Sequence, residues 1–147
     1  MATRIRPSKP MVFMNMAIAL SQLSTCARRE VGCILLDANW KIIGSGYNGV
    51  GAGLPHCIDN QCKGSMHVSG QGLGECEAVH AEQNALMQCT DVQKIKYVIT
   101  TASPCVHCMK MLLNTSAEVI YYYQEYDIEA IKLWNKQVSK FSSQIDI

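Results

Sequence analysis

Lys96-Tyr97-Val98-Ile99-Thr100-Thr101, then Ala102-Ser103-Pro104, then Cys105 to Leu113, then Ala117-Glu118-Val119-Ile120-Tyr121-Tyr122-Tyr123: this stretch decides the fold. Lys96 to Thr101 reads as a short apolar strand. Pro104 opens a helix through Leu113, because proline is tolerated in a helix's first turn. Ala117 to Tyr123 reads as a second strand, and Asp127 to Lys140, with Ile128, Ile131, Leu133 and Trp134, as a closing helix. On the N-terminal side, Val79 to Cys89 reads as a helix. Val31 to Asp37 and Lys41 to Tyr47 read as a hairpin turning at Ala38-Asn39. Met11 to Gln22, which is Met-rich and ends near Ser24-Thr25-Cys26, reads as a buried helix. Strands alternate with helices after the hairpin. The expected architecture is therefore α/β, three layers (α/β/α) around a mixed sheet of about five strands. The last seven residues carry no clear pattern.

The 147 residues predict one domain, 1–147. A domain of that size buries roughly 68–70% of its unfolded surface. Hydrophobic residues make up 48% and charged residues 17%, which excludes disorder. A net charge of +1 excludes a strongly basic nucleic-acid wrapper and an acidic tail protein. No apolar run reaches the roughly 20 residues of a membrane span, and no signal-type stretch is present. The expected location is cytoplasmic, with no membrane partner. Eight cysteines are many for a reducing compartment, where structural disulfides are rare, so clustering must separate metal ligands from core residues.

Residues 49–78 read as an insertion. Seven of the ten glycines fall between Gly49 and Gly74, with little periodicity. A loop this long in a compact domain is functional or is held by something. Cys57, Cys62, His67 and Cys76 lie in it or at its exit.

The chemistry concentrates in two short motifs. His80-Ala81-Glu82 opens one helix, and Pro104-Cys105-Val106-His107-Cys108 opens another. Cys105 and Cys108, at i and i+3, share one helical face. Helix N-termini favour thiolates. His80, Cys105 and Cys108 with one open position describe a catalytic zinc site, since a structural site takes four protein ligands. Glu82 is too close to His80 for an easy fourth ligand but is placed to exchange protons with a water acidified by zinc. Alone, C-x-x-C is equally a redox or structural motif. Joined to H-x-E across the 25 residues from His80 to Cys105, it is the pattern of zinc-dependent nucleobase deaminases.

Over nearly its full length the sequence resembles the deoxycytidylate (dCMP) deaminases of the cytidine deaminase superfamily. The resemblance rests on Ser24-Thr25-Cys26, Val31-Gly32, Gly46-Tyr47-Asn48-Gly49, His56-Cys57-Ile58-Asp59, His80 to Ala85 and Thr101 to Cys108. It implies hydrolysis of dCMP to dUMP and ammonia, which would supply dUMP for thymidylate synthesis. In that scheme Glu82 protonates N3 of the base and assists departure of the C4 amine. Backbone groups of Thr101, Ser103 and Ala81 read the base, and Tyr126 stacks on the pyrimidine. Arg28 resembles the family's phosphate-contacting loop, with Arg29 and Lys63 as rivals. Asn84 either bonds the sugar or holds the glycine-rich loop. The family's last strand is expected to be reduced in so short a chain.

The resemblance further implies a homo-oligomer, a hexamer in many members, activated by dCTP and inhibited by dTTP. The effector nucleotide would meet Gly46, Tyr47, Asn48 and Gly49, with Arg4, Arg6 and Mg²⁺ at its triphosphate. Read as residues alone, Asn48-Gly49 is an ordinary turn pair. Some members carry a second, structural zinc. Cys26 and Cys57 match its positions best, with His67 and Cys76 to complete it and Cys62 and His56 in reserve. Cys33 and Cys89 read as core residues. Two other functions compete: a deaminase of polymeric nucleic acid, disfavoured by the charge balance, and a zinc-stabilised binding module without catalysis, disfavoured by three ligands beside a glutamate.

Overall fold

The computed structural model describes residues 3–26, 29–55 and 78–147. Helix α1 (Lys9–Ser21) precedes the hairpin β1 (Gly32–Leu36) and β2 (Ile42–Tyr47). A small ribbon joins β3 (Gly49–Val50) to β4 (Ala78–Val79). Then come α2 (Ala81–Gln88), β5 (Tyr97–Ala102), α3 (Val106–Leu113), β6 (Val119–Gln124), α4 (Ile128–Asn135) and β7 (Phe141–Gln144). The main sheet runs β2-β1-β5-β6-β7. β1 is antiparallel to β2 and to β5, while β5–β6 and β6–β7 are parallel. The expected mixed five-stranded α/β sheet is present.

Two cores separate the layers. On one face, Met14 and Ala17 of α1 pack on Ile34, Leu36 and Ile99. On the other, α2, α3 and α4 bring Ala85, Met109, Leu112, Ile131 and Trp134 onto Cys33, Leu35, Val98 and Ile120. α1 starts two residues before the expected position. Ser8 Oγ accepts the Met11 N–H at 3.3 Å, and Pro10 sits in the first turn, where no amide is needed. α1 lies directly on β1 at Gly32, where a Cβ would come within 2.0 Å of Ala17 O.

Further boundaries differ from the expectation: α3 begins at Val106, with Pro104 just before its N-cap Cys105. Ala78 and Val79 pair with Val50 and Gly49, so α2 begins only after His80, which becomes its N-cap. α4 ends at Asn135 instead of reaching Lys140. The following turn folds back, with Trp134 Nε1 donating to Phe141 O at 2.7 Å and Lys140 Nζ donating to Ala117 O. The final residues form β7, a four-residue edge strand paired with Val119–Tyr122.

Candidate active site

β5 and α2 set the site. β5 runs down the middle of the sheet and delivers the chain through Ser103-Pro104 to Cys105, the N-cap of α3. α2 is fixed against β2 by close backbone approach, since a Cβ on Gly46 would lie 2.6 Å from Ala85 N and 2.7 Å from Ala81 O. Gln83 accepts the His80 N–H at 2.9 Å and so closes the start of α2. The N-termini of α2 and α3 therefore meet, and their dipoles favour negative charge at the same point.

His80 Nδ1 lies 3.5 Å from Cys105 Sγ and 3.3 Å from Cys108 Sγ. All three ligand atoms fall within 4.8 Å of one another, and no other such metal-binding group occurs among the described residues. Zn–N bonds of about 2.0–2.1 Å and Zn–S bonds of about 2.3 Å in a tetrahedron place N and S about 3.5 Å apart. The donor set and its spacing fit zinc. The neighbouring Cys108 thiol, and after it His80, hold Cys105 down to about 3. The Cys105 neighbour, with burial, pushes Cys108 up. Bonding to Cys105 raises His80.

Glu82, at 4% exposure, is the second residue of α2, in its first turn. Burial raises its carboxyl above the usual range. Its Oε1 lies 3.1 Å from Thr100 Oγ1. Glu82, His80 and Cys105 line one cavity with Arg29, Asn48 and Tyr126. Cys26, Ala81 and Ser103 also reach its wall.

The other expected site residues distribute as follows. Ser103 N–H donates to Gln124 O at 2.8 Å, and Ser103 Oγ accepts the Tyr126 N–H at 2.7 Å, so Ser103 pins the turn that carries Tyr126. The structure does not bring the Thr101 side chain to the cavity; its Oγ1 accepts the Gly32 N–H at 3.1 Å. Tyr126 is covered by Arg29, whose guanidinium carbon lies 3.7 Å from the ring centroid. Asn84 Nδ2 donates to Tyr47 O at 2.8 Å, tying α2 to β2.

In the Gly46–Gly49 stretch, the Asn48 side chain is engaged at both ends. Its Oδ1 accepts the Val31 N–H at 2.9 Å, and its Nδ2 donates to Arg29 O at 2.8 Å. Tyr47 is exposed, and Gly49 passes Thr25 so closely that a Cβ would lie 2.7 Å from its hydroxyl. Arg4 and Arg6 lie in the exposed segment before α1. Arg28, His56, Cys57, Cys62, Lys63, His67 and Cys76 lie outside the described residues, so of the expected second-metal group only Cys26 is described. Sequence reasoning passed over Thr100. Its signal was strand parity: Thr100 shares a face with Val98 and Ala102, which pack toward α2 and α3, and Thr101 faces the other way.

Comparison with known proteins agrees with this geometry. The family model of the cytidine and deoxycytidylate deaminase zinc-binding region matches residues 7–124. The deoxycytidylate deaminase of Schizosaccharomyces pombe is 30% identical over 131 residues, covering 86% of this chain and 40% of the yeast protein. The chain thus spans about two fifths of the length of that relative and 44% of the Saccharomyces cerevisiae one. The deoxycytidylate deaminase of Mycobacterium phage D29 is 32% identical over 126 residues, covering 82% of this chain and 98% of the phage protein. Among solved structures, the cyanophage S-TIM5 dCMP deaminase in complex with dCMP and dUMP superposes with a TM-score of 0.72 at 25% identity, covering 97% of this chain and all of that one (100%). No helix among the described residues is long and apolar enough to cross a membrane. Carrying the family's zinc-binding pattern across most of its length, with the donors brought together in space, the chain belongs to the cytidine and deoxycytidylate deaminase family.

Proposed function

We propose that this chain hydrolyses the C4 amine of dCMP: water adds at C4, ammonia leaves, and dUMP remains. One observation carries the reading: the buried Glu82 carboxyl and the donors His80 and Cys105 line the same cavity. The choice of dCMP is supported by the phage relatives, which this chain covers almost end to end.

His80, Cys105 and Cys108 would hold the zinc. When bound, zinc supplies Lewis acidity that lowers the pKa of water to about 7. Glu82 moves the protons. It takes one from the attacking water and delivers it to N3, then takes the remaining proton of the hydroxyl added at C4 and gives it to the amine, which leaves as ammonia while the C4 carbonyl forms. Burial suits it to this role, because a raised carboxyl pKa brings the acid and base forms closer in energy at neutral pH. The Ala81 N–H is among the first amides of α2, which a helix leaves without intrahelical partners, and it serves the base carbonyl. Tyr126 and Ser103 shape the wall beside the ring. Arg29 is the cation in the wall among the described residues and is positioned to meet the 5′-phosphate. By the resemblance above Arg28 is the candidate for that role, with Arg29 and Lys63 as its rivals.

The same reading extends to a cytoplasmic, hexameric enzyme feeding thymidylate synthesis, activated by dCTP and inhibited by dTTP with Mg²⁺. With the Asn48 amide committed to Val31 and Arg29, an effector at Gly46–Gly49 would meet the Tyr47 ring and the backbone. A structural zinc on Cys26, Cys57, His67 and Cys76 would brace residues 49–78. The test is ammonia release by the zinc-loaded protein from dCMP, deoxycytidine and single-stranded DNA offered separately. A much higher kcat/KM for dCMP is expected. Preference for the polymer, or no release from any of them, would overturn the reading.

A further inference from the structure

Thr100 is wholly buried, and its hydroxyl has two neighbours: Glu82 Oε1 at 3.1 Å and Ala102 O at 2.7 Å. Its one proton lies within reach of both acceptors, so the hydroxyl ties Glu82 Oε1 to the backbone of β5. β-branching restricts χ1 and helps hold the hydroxyl in that position. Valine would fill nearly the same volume and make neither bond. Among the described residues no other hydroxyl hydrogen-bonds the Glu82 carboxyl.

We propose that Thr100 is a positioning residue for Glu82: its hydroxyl holds Oε1 against β5 and leaves Oε2 as the oxygen that meets substrate. The residue touches neither substrate nor metal and acts only through Glu82. Its kinetic arm rests on the deamination reading, while the contact itself does not.

The experiment compares zinc-loaded wild type with Thr100→Val and Thr100→Ser. In Thr100→Val, loss of one hydrogen bond to a charged group should lower kcat about tenfold or more while KM stays within about twofold. Thr100→Ser should recover most of the loss. Zinc content should match wild type in both. Infrared spectra supply a readout free of turnover: the Glu82 carboxyl band, identified by its disappearance in Glu82→Gln, should shift in Thr100→Val and stay in place in Thr100→Ser. If Thr100→Val does not fold, Thr100→Ala takes its place in the same comparison. Wild-type kcat in the variant without the hydroxyl, or an unmoved band, overturns the proposal. A wild type that leaves dCMP untouched overturns the deamination reading instead, and the band still decides the contact.

Discussion

At the residue scale the proposed function gives Glu82 and Arg29 opposite tasks. With Glu82 as proton carrier and not a metal donor, Glu82→Ala should keep wild-type zinc by metal analysis. Its turnover should fall by about 10²–10⁴-fold. Near-normal turnover in the metal-replete variant would remove Glu82 from the chemistry. Arg29 faces the cavity over Tyr126. Arg29→Ala should lower kcat/KM for dCMP about 10–100-fold, the effect of losing a hydrogen bond to a charged group. It should leave deoxycytidine within about threefold, because that substrate has no phosphate to lose. Equal losses on both would assign Arg29 to packing against Tyr126 instead. The donor cluster of His80, Cys105 and Cys108 was legible because its motifs are local: H-x-E and C-x-x-C are spacings within one turn, each at the start of a helix. Thr100 was not, because its task depends on which face of β5 looks toward α2. Choosing between Thr100 and Thr101 requires knowing which layer holds the site.

At the element scale, α2 is the part most exposed to error, because His80, a zinc donor, caps it and Glu82, the proposed proton carrier, lies in its first turn. β2 meets it backbone to backbone at Gly46. Gly46→Ala would push Ala81 and Ala85 away and move His80 and Glu82 with them. Such overpacking costs about 1–3 kcal/mol. Denaturation should show that loss, and zinc content should fall with it. Gly32→Ala meets Ala17 O on the other face of the sheet, so it should cost similar stability but retain zinc. Full zinc in both would show that α2 is not seated through Gly46. The order of helices and strands was readable from periodicity. β7 was not: Phe-Ser-Ser-Gln has no apolar alternation, and its pairing with β6 is set by the backbone and by the fold-back at Trp134. α4 was overextended for the same reason, since the turn after Asn135 is fixed by Lys140 and Phe141 contacts with distant residues.

The whole molecule gathers its site from segments far apart in sequence. Arg29 and Asn48 come from before the long insertion, His80 and Glu82 from just after it, and Cys105 and Tyr126 from the second half. That cavity could not be assembled from motif spacing, because its walls depend on the β2-β1-β5 order. A metal that binds only the folded chain stabilises it by linkage. Free zinc at about a thousandfold above its Kd adds about 4.1 kcal/mol, which for a domain near this size is on the order of 10 °C in Tm. Melting in zinc and in chelator should differ by that order, and coincident curves would contradict a zinc centre at His80, Cys105 and Cys108. The central claim is hydrolysis at C4, and the most direct test is mass spectrometry of the product formed from dCMP in H₂¹⁸O by the zinc-loaded protein. The account predicts dUMP carrying a single ¹⁸O at C4, with ammonia released in equal amount. Unchanged dCMP, or dUMP formed without the heavy oxygen, would contradict it.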